Sequence, residues 1–278
     1  MIKLTTSNKE EIKVIQGKFP NGETYVDLGD IDFSGYIDQR FWKISIYFES
    51  NDDLVNLLLL SKQLRKNTPS VKQILILNYM PYSRMDREIN GFSFSLKYVS
   101  GFINNLKFDR VILLEPHSNV STALLDNCFD ILTSVDVTQY AMDDIEFNLE
   151  SDYILYPNAG AQKRYQDEFK GFKTLTGNKK RNLQDGKIIS FEVNGVDDLN
   201  GANVIICDDL CSRGGTFLAT ANALQSRNVG KIYLAITHLE NNVNTGGLPT
   251  SELIEGIYAT NSIYTDEAFD KLTIVEVQ

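Results

Sequence analysis

Val204–Thr216 reads VIICDDLCSRGGT, and this stretch decides the fold. The apolar run before the acids predicts a buried strand over Asn203–Cys207, ending in two adjacent carboxylates, Asp208 and Asp209. The glycine pair Gly214–Gly215 then turns the chain into a predicted helix, Gly215–Arg227. Strand, glycine turn and helix in that order form the repeating unit of an open α/β sheet, in which ligands bind outside the carboxyl ends of the strands. A glycine turn lets backbone N–H groups approach a phosphate, and the helix start adds positive potential. Two carboxylates beside an anion site suit a sugar diol, or a metal chelated by diol and diphosphate. A strand–turn–helix with acids near the helix start reads equally well without a ligand, so the stretch by itself leaves both readings open.

The rest of the chain repeats the rhythm. Strands are predicted at Lys43–Phe48, Gln73–Tyr79, Arg110–Glu115, Tyr153–Tyr156, Ile188–Val193 and Lys231–Thr237. Helices are predicted over Asp52–Lys66, where Leu54, Val55, Leu57 and Leu58 recur at helical spacing, and over Ser93–Leu106. Near-continuous apolar strands alternating with helices imply mostly parallel sheets covered on both faces. A boundary near Val135–Met142 divides the chain into domains 1–138 and 139–278. Gly177–Gly186 (GNKKRNLQDG) is the most polar internal stretch and reads as a long exposed loop.

Composition narrows the function. The 278 residues carry 27 Lys+Arg against 37 Asp+Glu, a formal charge of −10, which disfavours a binder of nucleic-acid backbones. With 42% hydrophobic and 23% charged residues the chain is expected to fold rather than stay disordered. No apolar run approaches the roughly 20 residues that span a bilayer, and Met1–Glu11 lacks the apolar core of a signal peptide. Three cysteines, Cys128, Cys207 and Cys211, cannot pair completely and form no zinc spacing. These features read as a cytoplasmic two-domain protein without membrane or nucleic-acid partners.

Six further segments point one way. Phe19–Val26 (FPNGETYV) is similar to the F-x-(D/N)-x-E-x-x-V segment of ribose-phosphate diphosphokinases, and Tyr79–Arg87 (YMPYSRMDR) to their P-Y-x-x-x-R-Q-D-(R/K). Glu115–His117 (EPH) stands where they have D-L-H, and Tyr156–Arg164 (YPNAGAQKR) resembles P-D-x-G-x-x-K-R. Lys179–Arg181 (KKR) resembles their catalytic K-x-R, and Thr237–His238 a T-H pair. Val204–Thr216 itself resembles the phosphoribosyl-diphosphate (PRPP) loop. In this order, from Lys18 to Ala259, the segments resemble a PRPP synthetase. The resemblance implies an α/β fold of two tandem phosphoribosyltransferase-like, Rossmann-like domains. It also implies transfer of the β,γ-diphosphate of Mg-ATP to the anomeric hydroxyl of ribose 5-phosphate, with Mg²⁺ as cofactor. Phe19, Asn21 and Glu23 would contact ATP from a neighbouring subunit, which makes a homo-oligomer. Arg84, with Met85 and Asp86, would hold the ATP phosphates, and His117 a magnesium-bearing diphosphate. Lys179 and Arg181 would stabilise the transferred group. Asp208 and Asp209 would hold the ribose hydroxyls, and Ser212, Arg213, Gly214, Gly215 and Thr216 the 5-phosphate. Asn158, Asp126 and Asp130 are further candidate metal ligands by position. Plainer readings stand beside these roles: a strand-end histidine at His117, a solvated charge run at Lys179–Arg181, a core side chain at Phe19 and a structural His238.

The sequence departs from the family pattern in several places. The third acid of the PRPP loop is Ser212, followed by Arg213; the aspartate of P-D-x-G is Asn158; the glutamine after Arg84 is Met85. Glu88–Phe94 (EINGFSF) replaces a basic loop, and Gln278 ends the sequence without the family's closing helix. One acid fewer and one arginine more in a 5-phosphate loop suit a 5-diphosphate, because arginine meets phosphate oxygens bidentately. The reading therefore leans to ADP-ribose as acceptor, giving ADP-ribose 1-diphosphate for NAD resynthesis, an activity of relatives in phage NAD salvage. An ordinary PRPP synthetase, a non-catalytic regulatory subunit and a phosphoribosyltransferase are the alternatives.

Overall fold

The computed structural model describes residues 1–181 and 188–277, which form two compact units, Met1–Leu132 and Thr133–Gln278.

The first unit runs β1 (Ile2–Thr6), β2 (Glu11–Ile12), β3 (Ile15–Lys18), β4 (Thr24–Asp27), β5 (Phe41–Ile46), α1 (Asp52–Asn67), β6 (Lys72–Leu77), α2 (Ser95–Asn104), β7 (Arg110–Leu114), α3 (Asn119–Leu124) and β8 (Cys128–Ile131). Its six-stranded sheet has the order β2-β1-β5-β6-β7-β8. β5 to β8 are mutually parallel, while β1 runs antiparallel to β5 and β2. β3 and β4 pair apart as an antiparallel hairpin. Helix α1 places Asp52 and Asp53 in its first turn and Arg65 and Lys66 in its last, which matches both ends of the helix dipole. Its inward face buries Leu57, Leu60 and Leu64 completely, each contributing roughly 1.5–3 kcal/mol. Trp42, the largest buried side chain, keeps its indole N–H satisfied by Thr68 Oγ1 at 2.9 Å.

The second unit runs α4 (Thr133–Asp144), β9 (Tyr153–Tyr156), α5 (Ala159–Tyr165), β10 (Thr174–Arg181), β11 (Ile188–Asn194), β12 (Val204–Cys211), α6 (Gly215–Gln225), β13 (Ile232–Leu239), β14 (Gly256–Thr260) and β15 (Leu272–Val275). A short 3₁₀ turn, Asn241–Thr245, follows β13. The seven strands are ordered β11-β10-β9-β12-β13-β14-β15, all parallel except β11. β13 is buried at all eight positions, as expected of a central parallel strand with both faces covered. After β9 the chain builds outward to β10 and β11, then returns to lay β12 on the opposite side of β9. The β9/β12 junction is therefore a topological switch point, where the loops after the two strands diverge and leave a crevice.

The expected α/β architecture of mostly parallel sheets is present in both units. Helix α4 buries Val137, Ala141 and Met142, packs on β12, β13 and β14 and lies wholly in the second unit, so the expected division at 138/139 falls inside it. Two local readings change. The exposed loop expected over 177–186 is a strand as far as Arg181, because Gly177–Arg181 pair antiparallel with β11; positions 182–186 lie outside the described residues. The strand expected to stop at Cys207 continues to Cys211, so Asp208 and Asp209 belong to β12 rather than to the turn after it.

Candidate active site

In the second unit the switch point gathers most of the expected acceptor residues. Because Asp208 and Asp209 are consecutive in a strand, they face opposite sides of the sheet. Asp209 is 7% exposed and pairs with Arg164 at 3.5 Å. Asp208 is half-buried; its Oδ1 accepts the Asp209 N–H at 3.1 Å. Past Cys211 the chain turns through Ser212 and Arg213 into Gly214, the N-cap of α6, at φ +81°. Only glycine fits there: the left-handed backbone disfavours a side chain, and a Cβ would lie 2.2 Å from Leu248. The first-turn N–H groups of α6 have no intrahelical acceptor, so Gly215 and Thr216 begin an anion-accepting end. Arg213 is exposed beside it. Ser212 Oγ receives Asn242 Nδ2 at 2.9 Å, and a Cβ on Gly246 would strike the Arg213 carbonyl at 2.2 Å. The segment after β13 thus buttresses the loop from outside.

Asn158 follows β9 on the other side of the crevice. Its Oδ1 accepts the Ala161 N–H at 3.0 Å and caps α5, so the amide oxygen does structural work there. Arg164, on the same helix, is the residue that sequence reasoning left without a role. It stands in the quoted YPNAGAQKR segment, but its pairing with Asp209 depends on how α5 meets β12.

In the first unit the loop after β6 carries the nucleotide candidates. Arg84 is exposed, and Met85 and Asp86 are half-buried. The Met85 carbonyl accepts the Leu96 N–H at 3.3 Å, closing residues 86–95 into a loop at the start of α2. Burial pushes the Asp86 carboxyl up, but a 2.9 Å hydrogen bond from Arg87, the neighbouring Ser118 hydroxyl and the charges of Arg87 and His117 hold it below the usual carboxylate range. Asp86 and His117, far apart in sequence, are therefore electrostatic neighbours. His117 follows the end of β7 through Glu115, a buried residue at φ +43°. Such a backbone is uncommon for a non-glycine residue.

The hairpin of β3 and β4 presents Phe19, Asn21 and Glu23 at its tip. Phe19 is 52% exposed, with its ring tilted against Tyr25 at 5.0 Å, so it is not a core side chain. Lys18, just before the hairpin tip, pairs with Asp52 at 2.5 Å, and Tyr82 near Arg84 donates to Asn51 at 2.6 Å. Both segments thus flank the start of α1.

Other expected residues are not brought together. Asp126 precedes β8, whereas His117 follows β7; because the strands are parallel, the two lie at opposite ends of the sheet. Asp130 is exposed on the edge strand β8. Among the described residues no three His, Cys, Asp or Glu side chains cluster as a metal cage. Asp86, held ionised beside His117, is the kind of single carboxylate that Mg²⁺ arriving with a nucleotide would take besides phosphate and water. Lys179 and Arg181 lie on the backbone of β10, but their side chains are outside the described ones. Cys207 and Cys211 are buried; burial pushes the Cys211 thiol up strongly and that of Cys128 to about 11, which makes both poor nucleophiles. His238 is buried, with Nδ1 at 2.8 Å from Ser262 Oγ. Among the described residues no helix is long and apolar enough to cross a membrane.

With this geometry in place, comparison with known proteins gives a consistent result. No family model matches the chain. The ribose-phosphate pyrophosphokinase of Bradyrhizobium diazoefficiens is 29% identical over 265 residues, covering 93% of this chain and 80% of that protein. That of Aquifex aeolicus is also 29% identical over 265 residues, covering 93% and 82%. The pyrophosphokinase of Pyrococcus furiosus is 29% identical over 226 residues, covering 80% and 76%. The crystal structure of phosphoribosylpyrophosphate synthetase from Mycobacterium smegmatis superposes with a TM-score of 0.75 at 21% identity, covering 97% of this chain and 87% of that one. The chain is thus similar to ribose-phosphate pyrophosphokinases over nearly its whole length and has the fold of a PRPP synthetase.

Proposed function

We propose that the protein is an ATP-dependent pyrophosphokinase that transfers the β,γ-diphosphate of Mg-ATP to the anomeric hydroxyl of a ribose 5-phosphoryl acceptor, releasing AMP. The observation that carries the reading is the switch-point crevice: an acid pair on β12 beside a helix start whose glycine cap admits a phosphate. Phosphate and vicinal diol are the two recognisable ends of a ribose 5-phosphate, and the crevice offers a group for each.

The acceptor's anomeric oxygen attacks the β-phosphorus. The bond from that phosphorus to the bridging oxygen breaks, AMP leaves with that oxygen, and the hydroxyl proton is released. The transition state is loose, so the protein's part is positioning and charge neutralisation. Bound magnesium supplies charge on the diphosphate. Arg84 would hold the nucleotide phosphates, and the ionised Asp86 with His117 would meet their magnesium-bearing face. Asp208 and Asp209 would accept from the ribose hydroxyls, with Arg164 holding Asp209 in place. Lys179 and Arg181 would neutralise the group in flight; Lys179→Ala is expected to lower kcat by about 10²–10³, the usual cost of removing one transition-state donor. The Phe19 tip would reach the nucleotide of a second copy.

A second reading concerns the acceptor. The exposed Arg213 and the neutral Ser212–Asn242 pair put donors at the mouth of the phosphate loop, where Ser212 stands in place of the third acid of the family pattern. This arrangement favours a 5-diphosphate over a monophosphate, and with it ADP-ribose. The test is AMP release from Mg-ATP with ribose 5-phosphate or ADP-ribose as sole acceptor, followed by acceptor preference in Arg213→Thr with Ser212→Asp. An unchanged preference removes the structural ground for ADP-ribose.

A further inference from the structure

The Thr237–His238 pair has no part in the transfer just described, yet it lies on the strand next to Asp208 and Asp209. Thr237 is completely buried, and so are Ser134 on α4, Tyr165 on α5, Thr260 and Ser262. Ser134 Oγ donates to the Asp208 carbonyl at 3.1 Å, with Thr237 Oγ1 2.8 Å away and the Tyr165 hydroxyl donating to it from 3.3 Å. A hydroxyl has one proton and two lone pairs. With its proton on the Asp208 carbonyl, Ser134 accepts from Tyr165, and the Thr237 hydroxyl completes the hub from 2.8 Å. The Thr237 carbonyl in turn accepts from Thr260 Oγ1 at 2.6 Å and Ser262 Oγ at 3.2 Å, where the β13–β14 register shifts.

Matched apolar side chains would fill this space at little cost in stability, since removing both partners of a buried hydrogen bond is close to neutral. What the hydroxyls add is direction. The hub fastens the peptide between Asp208 and Asp209, and through Tyr165 it fastens the helix whose Arg164 meets Asp209. We infer that Ser134 and Thr237 are positioning residues for the acid pair, and so for the acceptor's diol. The inference rests on the function proposed above.

The test compares Thr237→Val, which keeps the shape and loses the hydroxyl, with Thr237→Ser, which keeps the hydroxyl. In Thr237→Val the acceptor KM is expected to rise about tenfold while the Mg-ATP KM stays within about twofold; Thr237→Ser should keep the wild-type value. Amide hydrogen exchange of folded protein supplies a readout independent of turnover. Exchange over 208–216 should quicken in Thr237→Val but not in Thr237→Ser, with 153–156 unchanged. If Thr237→Val does not fold, Ser134→Ala takes its place with the same expectation. Equal rises in both KM values, or unchanged exchange at 208–216, overturn the inference. A wild-type protein that makes no AMP sinks the transfer reading instead, and the exchange comparison then decides the hub alone.

Discussion

Asp209 and Arg164 are each largely buried, so each depends on the other's charge. Asp209→Asn is expected to lower acceptor kcat/KM at least 100-fold and also to lower stability, by about 1–3 kcal/mol, because Arg164 loses a partly desolvated counter-charge. Chemical denaturation beside steady-state kinetics checks both halves. Asp86 gives a pH prediction. Its folded pKa lies below the unfolded value, so its contribution to stability is present above the ordinary carboxylate range and is lost as pH falls through the folded pKa. Denaturation midpoints followed from pH 6 down to about pH 3 should therefore show a shallower acid decline in Asp86→Asn than in wild type. The two residues differ in how far the sequence announces them. Asp86 stands in a recognisable segment. The role of Arg164 is invisible there, because nothing local says that α5 will turn its last residues toward β12.

At the scale of the element, the phosphate loop is where sequence speaks most directly. Gly214 is required by a left-handed φ and by Leu248. Gly214→Ala should raise acceptor KM at least tenfold and destabilise the fold by roughly 1–2 kcal/mol, measured by kinetics and thermal unfolding. Element boundaries were less legible. β12 outruns its apolar run because Asp208 and Leu210 still pair with β13, and a ladder does not require apolar side chains. Gly177–Arg181 resembles a loop because its residues are polar, yet antiparallel pairing with β11 satisfies its backbone. Patterning reveals burial, and neither segment is a continuous buried run. The two-residue β2 is too short to show a period, and β1, though buried at alternate positions, carries only Ile2 and Leu4 as apolar markers.

At the scale of the molecule, the two-unit α/β plan was legible because parallel strands are buried on both faces and read as apolar runs. The switch point was not, since strand order is set by pairing between distant segments. Sharing of the nucleotide site between copies is a prediction at this scale. Glu23→Ala and Lys179→Ala, each inactive alone, should regain activity when mixed and allowed to exchange subunits; a mixture as inactive as its parts would mean that each chain works alone. The central claim is tested most directly by incubating the purified chain with Mg-ATP and either ribose 5-phosphate or ADP-ribose, and weighing the products by mass spectrometry. The account predicts AMP together with an acceptor heavier by one diphosphate. ATP left intact with both acceptors would contradict it.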